Sequence, residues 1–555
     1  MSGDQERAVA LIVVAVLVAA IGSVWVTGAL AGLLFSGSPA TTPGSGAIEV
    51  ALRLPAHLGD PRLAWPPAAS HRLPGPFGMY GVVVVELVGL GLVIRRAAPR
   101  LSRLDLSFLR TDRDKPPASR WARRRDLAPL IVDGPKPGRV TLGRRGRDLL
   151  AAEEGQSVII FGPTQSGKTS GLVIPAMLEW EGPLVATSVK SDLLAPTLER
   201  REELGETWVF DPTQSVDVER ARATPLHAAD TWEGALQSAH RIASSAKAAA
   251  GDLSDGSFWF ANGEKLLAPL LLAASRAGGT METVVTWIDE GPEACERSVL
   301  PVLEGSDEKA AARAFRATQN REERARSSVY TTTETMLAAY ADPRVAEETA
   351  GSDYTPERLL DGGANTLFLV SPRSEQERLR VVHASLIEEL ISVAEEMSVK
   401  TGRPIIPRLL LALDEFANTA PFPRLDEVAA TGSGLGIQLI TVLQDLSQMK
   451  DRLGSRAVSA VNNHRAKIAV GGISDLDTNE YFSRLAGTAE FVHRSTSRGR
   501  AGDSTTEGEA FRELAPTHLL RELDFGTAIV ADGNRPATLM TLRPWFDTQA
   551  RSSRV

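Results

Sequence analysis

Three groups of residues carry types and spacings that could do chemistry together. The first is Gly162-Pro163-Thr164-Gln165-Ser166-Gly167-Lys168-Thr169, running on into Ser170. This is the G-x-x-x-x-G-K-[ST] pattern (Walker A), and its surroundings suit it. The apolar run Gln156 to Phe161 reads as a buried strand of a parallel sheet, and the stretch after Thr169 reads as a helix. The glycines let backbone N–H groups close around phosphates at a helix N-terminus. In that setting Lys168 reaches the β and γ oxygens of a nucleoside triphosphate, and the Thr169 hydroxyl ligates Mg2+.

The second group is Arg408-Leu-Leu-Leu-Ala-Leu413-Asp414-Glu415, five apolar residues closed by two carboxylates (Walker B). Ligands bind at the carboxyl edge of an α/β sheet, so a strand ending there delivers both acids to the phosphates. We expect this strand to neighbour the P-loop strand. Asp414 would hold the metal through water, and Glu415 would orient and deprotonate the attacking water. The plainer account makes the pair an ordinary helix start. The third group, Gly436 to Gln444, is another apolar strand, ending on an amide. Gln444 either senses the γ-phosphate or the attacking water, or simply caps its strand.

With these motifs in hand, the chain resembles the type IV secretion coupling proteins of the TraG/TraD-like family, which are related to the FtsK/HerA DNA pumps. Thr187-Ser-Val-Lys190-Ser-Asp192, Val209-Phe-Asp211-Pro212, Ser257-Phe-Trp259 and Val461-Asn-Asn463-His464-Arg465-Ala-Lys467 agree with it, and the match covers essentially 75–545. The resemblance implies a homohexameric ATPase using ATP and Mg2+. Its partners would be DNA, as a single strand with its relaxase, or another secreted protein, together with type IV secretion channel components and the membrane. It implies nucleotide-handling roles for Lys168, Thr169, Asp414, Glu415 and Gln444. Lys190 and Asp192 resemble the family's K-x-D turn, for which a structural turn is an equally good account.

There are two departures. Gln165 stands where many members have Gly, which matters if that position needs φ > 0. Members also often carry an arginine finger between the acidic pair and the sensor amide, and Val428 to Gln438 holds no arginine. The trans candidates are Arg465, Arg424, Arg456 and Arg484. Arg465 is favoured because it directly precedes the strand AKIAVGG and is expected to project near the carboxyl edge of the sheet.

These residues need a scaffold, and composition bounds it. A chain of 555 residues with one cysteine, Cys295, builds a core without disulfides or a cysteine zinc site. Cys295 itself reads as an inert thiol. Aromatic residues make up 5%, too few for a base-stacking RNA surface, and a net charge of −8 argues against a basic nucleic-acid coat. The expected fold class is α/β: a RecA-like P-loop NTPase with a mostly parallel sheet, an inserted all-α domain and an N-terminal two-helix membrane anchor.

The anchor is read from Ala8 to Phe35, uncharged throughout, and from Phe77 to Ile94, interrupted by Glu86. Glu86 would face another helix or a neighbouring subunit, or else be protonated towards lipid. Between Arg95 and Arg147 stand 16 basic residues against five acids. The positive-inside rule then puts both termini in the cytoplasm of a multi-pass protein in the bacterial inner membrane. The same basic stretch suits anionic headgroups or, alternatively, nucleic acid. The boundaries expected are 1–100 for the anchor, with an extended external loop over 36–76, and 101–150 for a basic segment entering the sheet. The nucleotide-binding domain would occupy 151–231 and 353–548, around an inserted all-α domain of alanine-rich helices over 232–352; the resemblance implies that this insertion recognises substrate, and a structural lid is the plainer account. His493 to Glu509 reads as mobile and 549–555 as a disordered tail.

The expected function is an ATP-driven motor passing conjugative DNA or protein to a secretion channel. An FtsK-like double-stranded DNA translocase shares this core but usually ends in a winged helix, which nothing after residue 450 resembles. A nucleotide-binding receptor or scaffold with little turnover has no need of the Asp414-Glu415 pair.

Overall fold

The computed structural model describes residues 22–42, 46–101, 119–189, 191–250, 256–499 and 502–547. It divides into two compact units, Met1–Pro116 and Pro117–Val555. The expected tail 549–555, Lys190 and the start of the first apolar run lie outside the described residues.

In the first unit, residues 22–36 are helical and a second helix spans Pro76–Leu101. Among the described residues no helix is long and apolar enough to cross a membrane. That finding corrects the two-helix anchor and the inner-membrane localisation drawn from it, since hydropathy summed along a sequence ignores what each segment packs against. Glu86 accepts hydrogen bonds from the hydroxyls of Ser23 (2.9 Å) and Thr27 (2.5 Å), so its partner is the other helix of the same chain. The expected extended loop is also corrected. Gly46–Arg53 is helical, and Leu54–His57, Pro61–Ala64 and Pro67–Ser70 are single turns. Proline stands at the first or second position of each of these turns, where its fixed φ suits the helix and its missing N–H costs nothing.

The second unit is built on one twelve-stranded sheet. In chain order its strands are β1 (Ile131–Val132), β2 (Thr141–Arg145), β3 (Asp148–Ala151), β4 (Val158–Phe161), β5 (Leu184–Ser188), β6 (Thr207–Phe210), β7 (Thr366–Val370), β8 (Leu409–Leu413), β9 (Ile437–Leu443) and β10 (Ala466–Val470). Then follow β11 (Thr488–Gly499) and β12 (Gly502–Glu513), a separate hairpin, and finally β13 (Thr527–Asp532) and β14 (Thr538–Thr541). The sheet order is β1-β3-β2-β14-β13-β10-β4-β9-β8-β5-β7-β6. From β10 to β6 every neighbouring pair is parallel, while β13, β14, β2, β3 and β1 extend the sheet antiparallel.

The parallel strands are buried at nearly every position because both faces are covered. Ile159 and Phe161 pack into one core, Val158 and Ile160 into the other. Between β6 and β7 the described elements are all helices, from Trp232–Ala250 to Pro356–Leu359. They share a continuous core with the sheet: Leu266 to Leu272 are buried in the same cluster as Leu409 and Leu411. Cys295 lies there too, its thiol pushed up to about 11 by burial. Of His493 to Glu509, expected to be mobile, the described residues belong to the β11–β12 hairpin, in which Thr488 pairs with Glu513 and Gly499 with Gly502. A ladder is held by backbone groups, so a Ser/Thr-rich composition does not forbid it.

Two fully buried histidines follow from this packing. His383 stands edge-on to Phe210 at 5.9 Å. His464 has Nδ1 2.7 Å from the Ala460 carbonyl and Nε2 2.9 Å from the Thr441 hydroxyl, so Nδ1 carries the proton and donates. Burial pushes each down to about 4 from 6.5. Unfolded, they take up protons below about 6.5, so they stabilise the fold above that pH and withdraw the contribution as pH falls towards 4. One such group loses about 2 kcal/mol between pH 7 and 5. Urea unfolding of wild type and His383→Leu at both pH values is expected to show the variant losing about 2 kcal/mol less. Parallel losses in the two proteins would mean that His383 is not held neutral.

Candidate nucleotide-binding site

β4 delivers the chain to the carboxyl edge of the sheet, and Gly162 to Lys168 turn it into a helix that opens at Thr169 with a π-type turn and runs to Glu179. Gly167 takes φ +85°, a conformation that glycine adopts freely. Gln165 takes φ +61°, so the position does need φ > 0 and the departure noted in the sequence has a cost. Lys168 is buried and folds back over the loop, its Nζ donating to the carbonyls of Gly162 and Pro163 at 2.6 Å each. Burial lowers its pKa, against the attraction of Asp414 and Glu415. The Ser166 hydroxyl is buried without a hydrogen-bond partner, which leaves a donor inside the loop.

The acidic strand is not the P-loop strand's neighbour as expected. β9 stands between β4 and β8, with Phe161 opposite Leu443 and Leu413 opposite Thr441. The carboxyl ends of all three strands therefore face one cavity of about 470 Å3. Thr169 and Asp414 meet across it, Oγ1 to Oδ2 at 2.9 Å. Burial pushes the Asp414 carboxyl up to about 6, while the Thr169 hydrogen bond and Lys168 pull the other way. The Thr187 and Thr419 hydroxyls donate to the Asp414 carbonyl (2.9 and 3.1 Å) and fix the strand end. Gln444 lines the cavity, and its carbonyl accepts from Gly162 N–H at 3.1 Å, tying the sensor strand to the P-loop. Asp192 lines it as well.

Glu415 lies at the cavity with φ +48°, its Oε1 3.2 Å from an Nη of Arg373. Reading the sequence missed Arg373. It sits in Ser371-Pro372-Arg373, just past β7, and its only signal was the general one that chemistry gathers at strand ends.

The candidate trans arginines, Arg465 the favoured one, do not line this cavity. Arg465 precedes β10, which runs parallel to β4, so it lies at the amino edge of the sheet and corrects the expected carboxyl-edge position. Its Nε is 3.1 Å from Glu153 Oε2. Arg424 is held by Glu395 (2.5 Å) and Glu427 (3.0 Å), Arg456 by Asp426 (2.5 Å) and Glu427 (2.8 Å), and Arg484 pairs with Glu480 on its own helix. Asp211 is consumed by its turn, accepting from the N–H groups of Thr213, Ser215 and Val216.

Would the residues present fit Mg2+? Among the described residues no group of three or more His, Cys, Asp or Glu could hold a metal. A hydroxyl and one carboxylate nevertheless suit Mg2+, which usually takes few protein ligands and completes its shell with phosphate oxygens and water.

A P-loop joined to an acidic strand across an intervening amide-ended strand, in a largely parallel mixed sheet, defines a P-loop NTPase fold. Structural likeness agrees. The coupling protein TrwB lacking its N-terminal segment superposes with a TM-score of 0.57 at 18% identity, covering 78% of this chain and 95% of that one. TrwB with the non-hydrolysable ATP analogue ADPNP matches equally, covering 96% of that chain.

The family model for type IV secretory system conjugative DNA transfer matches residues 119–554, and the chain belongs to that family. It is 28% identical over 371 residues to the conjugal transfer protein TraG of Escherichia coli, covering 62% of this chain and 57% of the relative. It is 25% identical over 438 residues to protein VirD4 of Agrobacterium fabrum, covering 76% of this chain and 63% of the relative. The chain thus spans about three fifths of the length of these relatives.

The strained loop residue is open to a direct test. Gln165→Gly removes a left-handed penalty of about 1–2 kcal/mol while adding about 0.5–1 kcal/mol of unfolded-chain entropy. The variant is expected to match or slightly exceed wild-type stability in urea unfolding, whereas Gln165→Val is expected to fall below it. A Val variant as stable as the Gly variant would mean that the position does not require φ > 0.

Proposed function

We propose that this chain is an ATP-dependent coupling protein. It hands conjugative DNA, as a single strand with its relaxase, or another secreted protein to a type IV secretion channel. The observation that carries the reading is the single cavity lined by P-loop residues, Asp414, Glu415 and Gln444, in a chain that belongs to the conjugative DNA-transfer family. TrwB, whose fold it shares, has been solved with ADPNP and with ADP and Mg2+, which supports the choice of nucleotide and metal.

In this reading the Lys168 ammonium leaves the Gly162 and Pro163 carbonyls for the β and γ oxygens. The loop from Gly162 to Ser170 supplies backbone N–H groups around the phosphates. Thr169, and Asp414 through water, would hold Mg2+, which when bound would offset the charge of the phosphates. Glu415 orients the attacking water and accepts its proton, and Gln444 hydrogen-bonds the γ-phosphate or that water. Arg373 places a guanidinium in the same cavity, where negative charge develops on the transferring phosphoryl group.

Coupling hydrolysis to strand movement calls for several sites acting in turn around a strand, and a ring of six copies is the assembly we infer. Mass photometry of the full chain with single-stranded DNA and a slowly hydrolysed ATP analogue is expected to show hexamers. A monomer under every condition would count against the motor.

Binding and chemistry are separable by substitution. Lys168→Ala is expected to weaken ATP binding, while Glu415→Gln keeps binding and cuts hydrolysis by roughly 10²–10⁴. Single-stranded DNA is expected to stimulate hydrolysis by the wild-type chain. If Glu415→Gln turned over at the wild-type rate, Glu415 would be structural and the base would have to be sought elsewhere in the cavity.

A further inference from the structure

Phe525 is a large apolar side chain, 79% exposed, on the carboxyl edge of the sheet. It lies two residues before β13, which runs antiparallel to β10 with Val470 opposite Ala528. The start of β13 is therefore at the edge where β4 ends. The segment is pinned there by its backbone. Gly471 N–H donates to the Thr527 carbonyl (3.2 Å), Leu542 N–H to the Gly526 carbonyl (2.7 Å), and Arg543 N–H to the Gly171 carbonyl (3.2 Å), inside the P-loop helix. Gly526 takes φ +79°, which only a glycine tolerates easily, and this turn sets the direction of the neighbouring ring. The outcome is a close approach. A carbon of the Phe525 ring lies 3.5 Å from where a Cβ on Gly167 would stand.

The sheet order gives that position a meaning. Asp414, Glu415 and Gln444 stand on the β9 and β8 side of the P-loop strand, so the γ-phosphate end of a nucleotide belongs there. The phosphates follow the P-loop, so the nucleoside must leave on the other side of β4, towards β10 and β13. Phe525 is there, held in place and with its ring open to solvent. Resting on the nucleotide-binding reading above, we propose that the Phe525 ring is the platform on which the nucleobase stacks.

A phenyl face offers no hydrogen bonds, and every base has a π-face. Such a platform adds affinity without choosing among bases. Adenine and guanine nucleotides would therefore depend on it alike, and a ligand with phosphates but no base would not depend on it at all.

The test is titration calorimetry on the full chain with Mg2+, using ATP, GTP and inorganic triphosphate. Phe525→Ala is expected to weaken ATP and GTP by about tenfold or more and to leave triphosphate unchanged, while Phe525→Trp keeps all three. Unchanged ATP affinity in Phe525→Ala, with triphosphate still bound, would overturn the platform and leave the nucleotide site standing. Equal losses for ATP and triphosphate would also overturn it, by showing that the ring merely shapes the P-loop. Wild-type protein binding neither ATP nor triphosphate would overturn the nucleotide reading itself, and the platform with it.

Discussion

The contact between Thr169 and Asp414, 2.9 Å long and joining residues 245 positions apart, is the constraint on which the rest of the site depends. A carboxyl group buried at a strand end is costly unless it is hydrogen-bonded, and here burial already pushes its pKa up to about 6. The Thr169 hydroxyl and the Lys168 charge offset that cost, but only if the P-loop and the acidic strand end at the same height. Parallel pairing through β9 sets that height. Phe161 registers with Leu443, and Leu413 with Thr441, so three loops emerge side by side. The donors to the Asp414 carbonyl, Thr187 and Thr419, come from β5 and from the turn after β8, so the neighbouring elements share in fixing one backbone position.

The same sheet order explains how a large helical insertion can sit mid-sequence without disturbing this contact. The chain leaves the sheet after β6, the outermost parallel strand, and returns as β7, which lies between β6 and β5. The helices from Trp232–Ala250 to Pro356–Leu359 are therefore inserted at the β6 edge, with β7, β5, β8 and β9 between that edge and β4. Arg201 secures the opposite end of those strands. It is fully buried and donates to the carbonyls of Trp180, Gly182 and Ala364 and to the Thr366 hydroxyl, with no carboxylate partner among the described residues. Five donors in a rigid fork can satisfy several carbonyls at once, so one side chain supplies partners to a set of buried acceptors.

What was legible in the sequence follows from which information is local. The P-loop could be read because its glycines, lysine and threonine act within one turn of chain. Asp414-Glu415 could be read because five apolar residues before a polar pair mark a buried strand and its end. Arg373 could not, because nothing near Ser371-Pro372-Arg373 tells which strand β7 pairs with. Arg465 was misplaced for a reason that topology supplies. The helix Ala457–Asn463 belongs to the crossover that returns the chain from the carboxyl edge, so a residue directly before a parallel strand stands at the amino edge. The hairpin β11–β12 escaped because composition reports side chains whereas the ladder is made by the backbone. Hydropathy likewise measures a run of residues without the contacts that Glu86 makes with Ser23 and Thr27.

Strain is distributed in the same way as function. Among the described residues three non-glycine residues take positive φ: Gln165, Gln214 and Glu415. Two of them line the one cavity that also holds Lys168 and Asp414. Such conformations cost about 1–2 kcal/mol each and persist only where the surroundings fix them. At Glu415 the surroundings do so. Its carbonyl accepts from the N–H groups of Asn418 (2.8 Å) and Thr419 (3.1 Å), which start the next helix immediately and leave the side chain pointing back at the cavity. The carboxylate meets Arg373, whose side chain is 64% exposed, so the pair is worth little more than a surface ion pair. A phosphate entering the cavity can draw the Arg373 guanidinium away from Glu415 at small cost. The backbone of Glu415 is thus rigidly held, while its side chain is only loosely engaged, and a group that must reorient towards a substrate needs that combination.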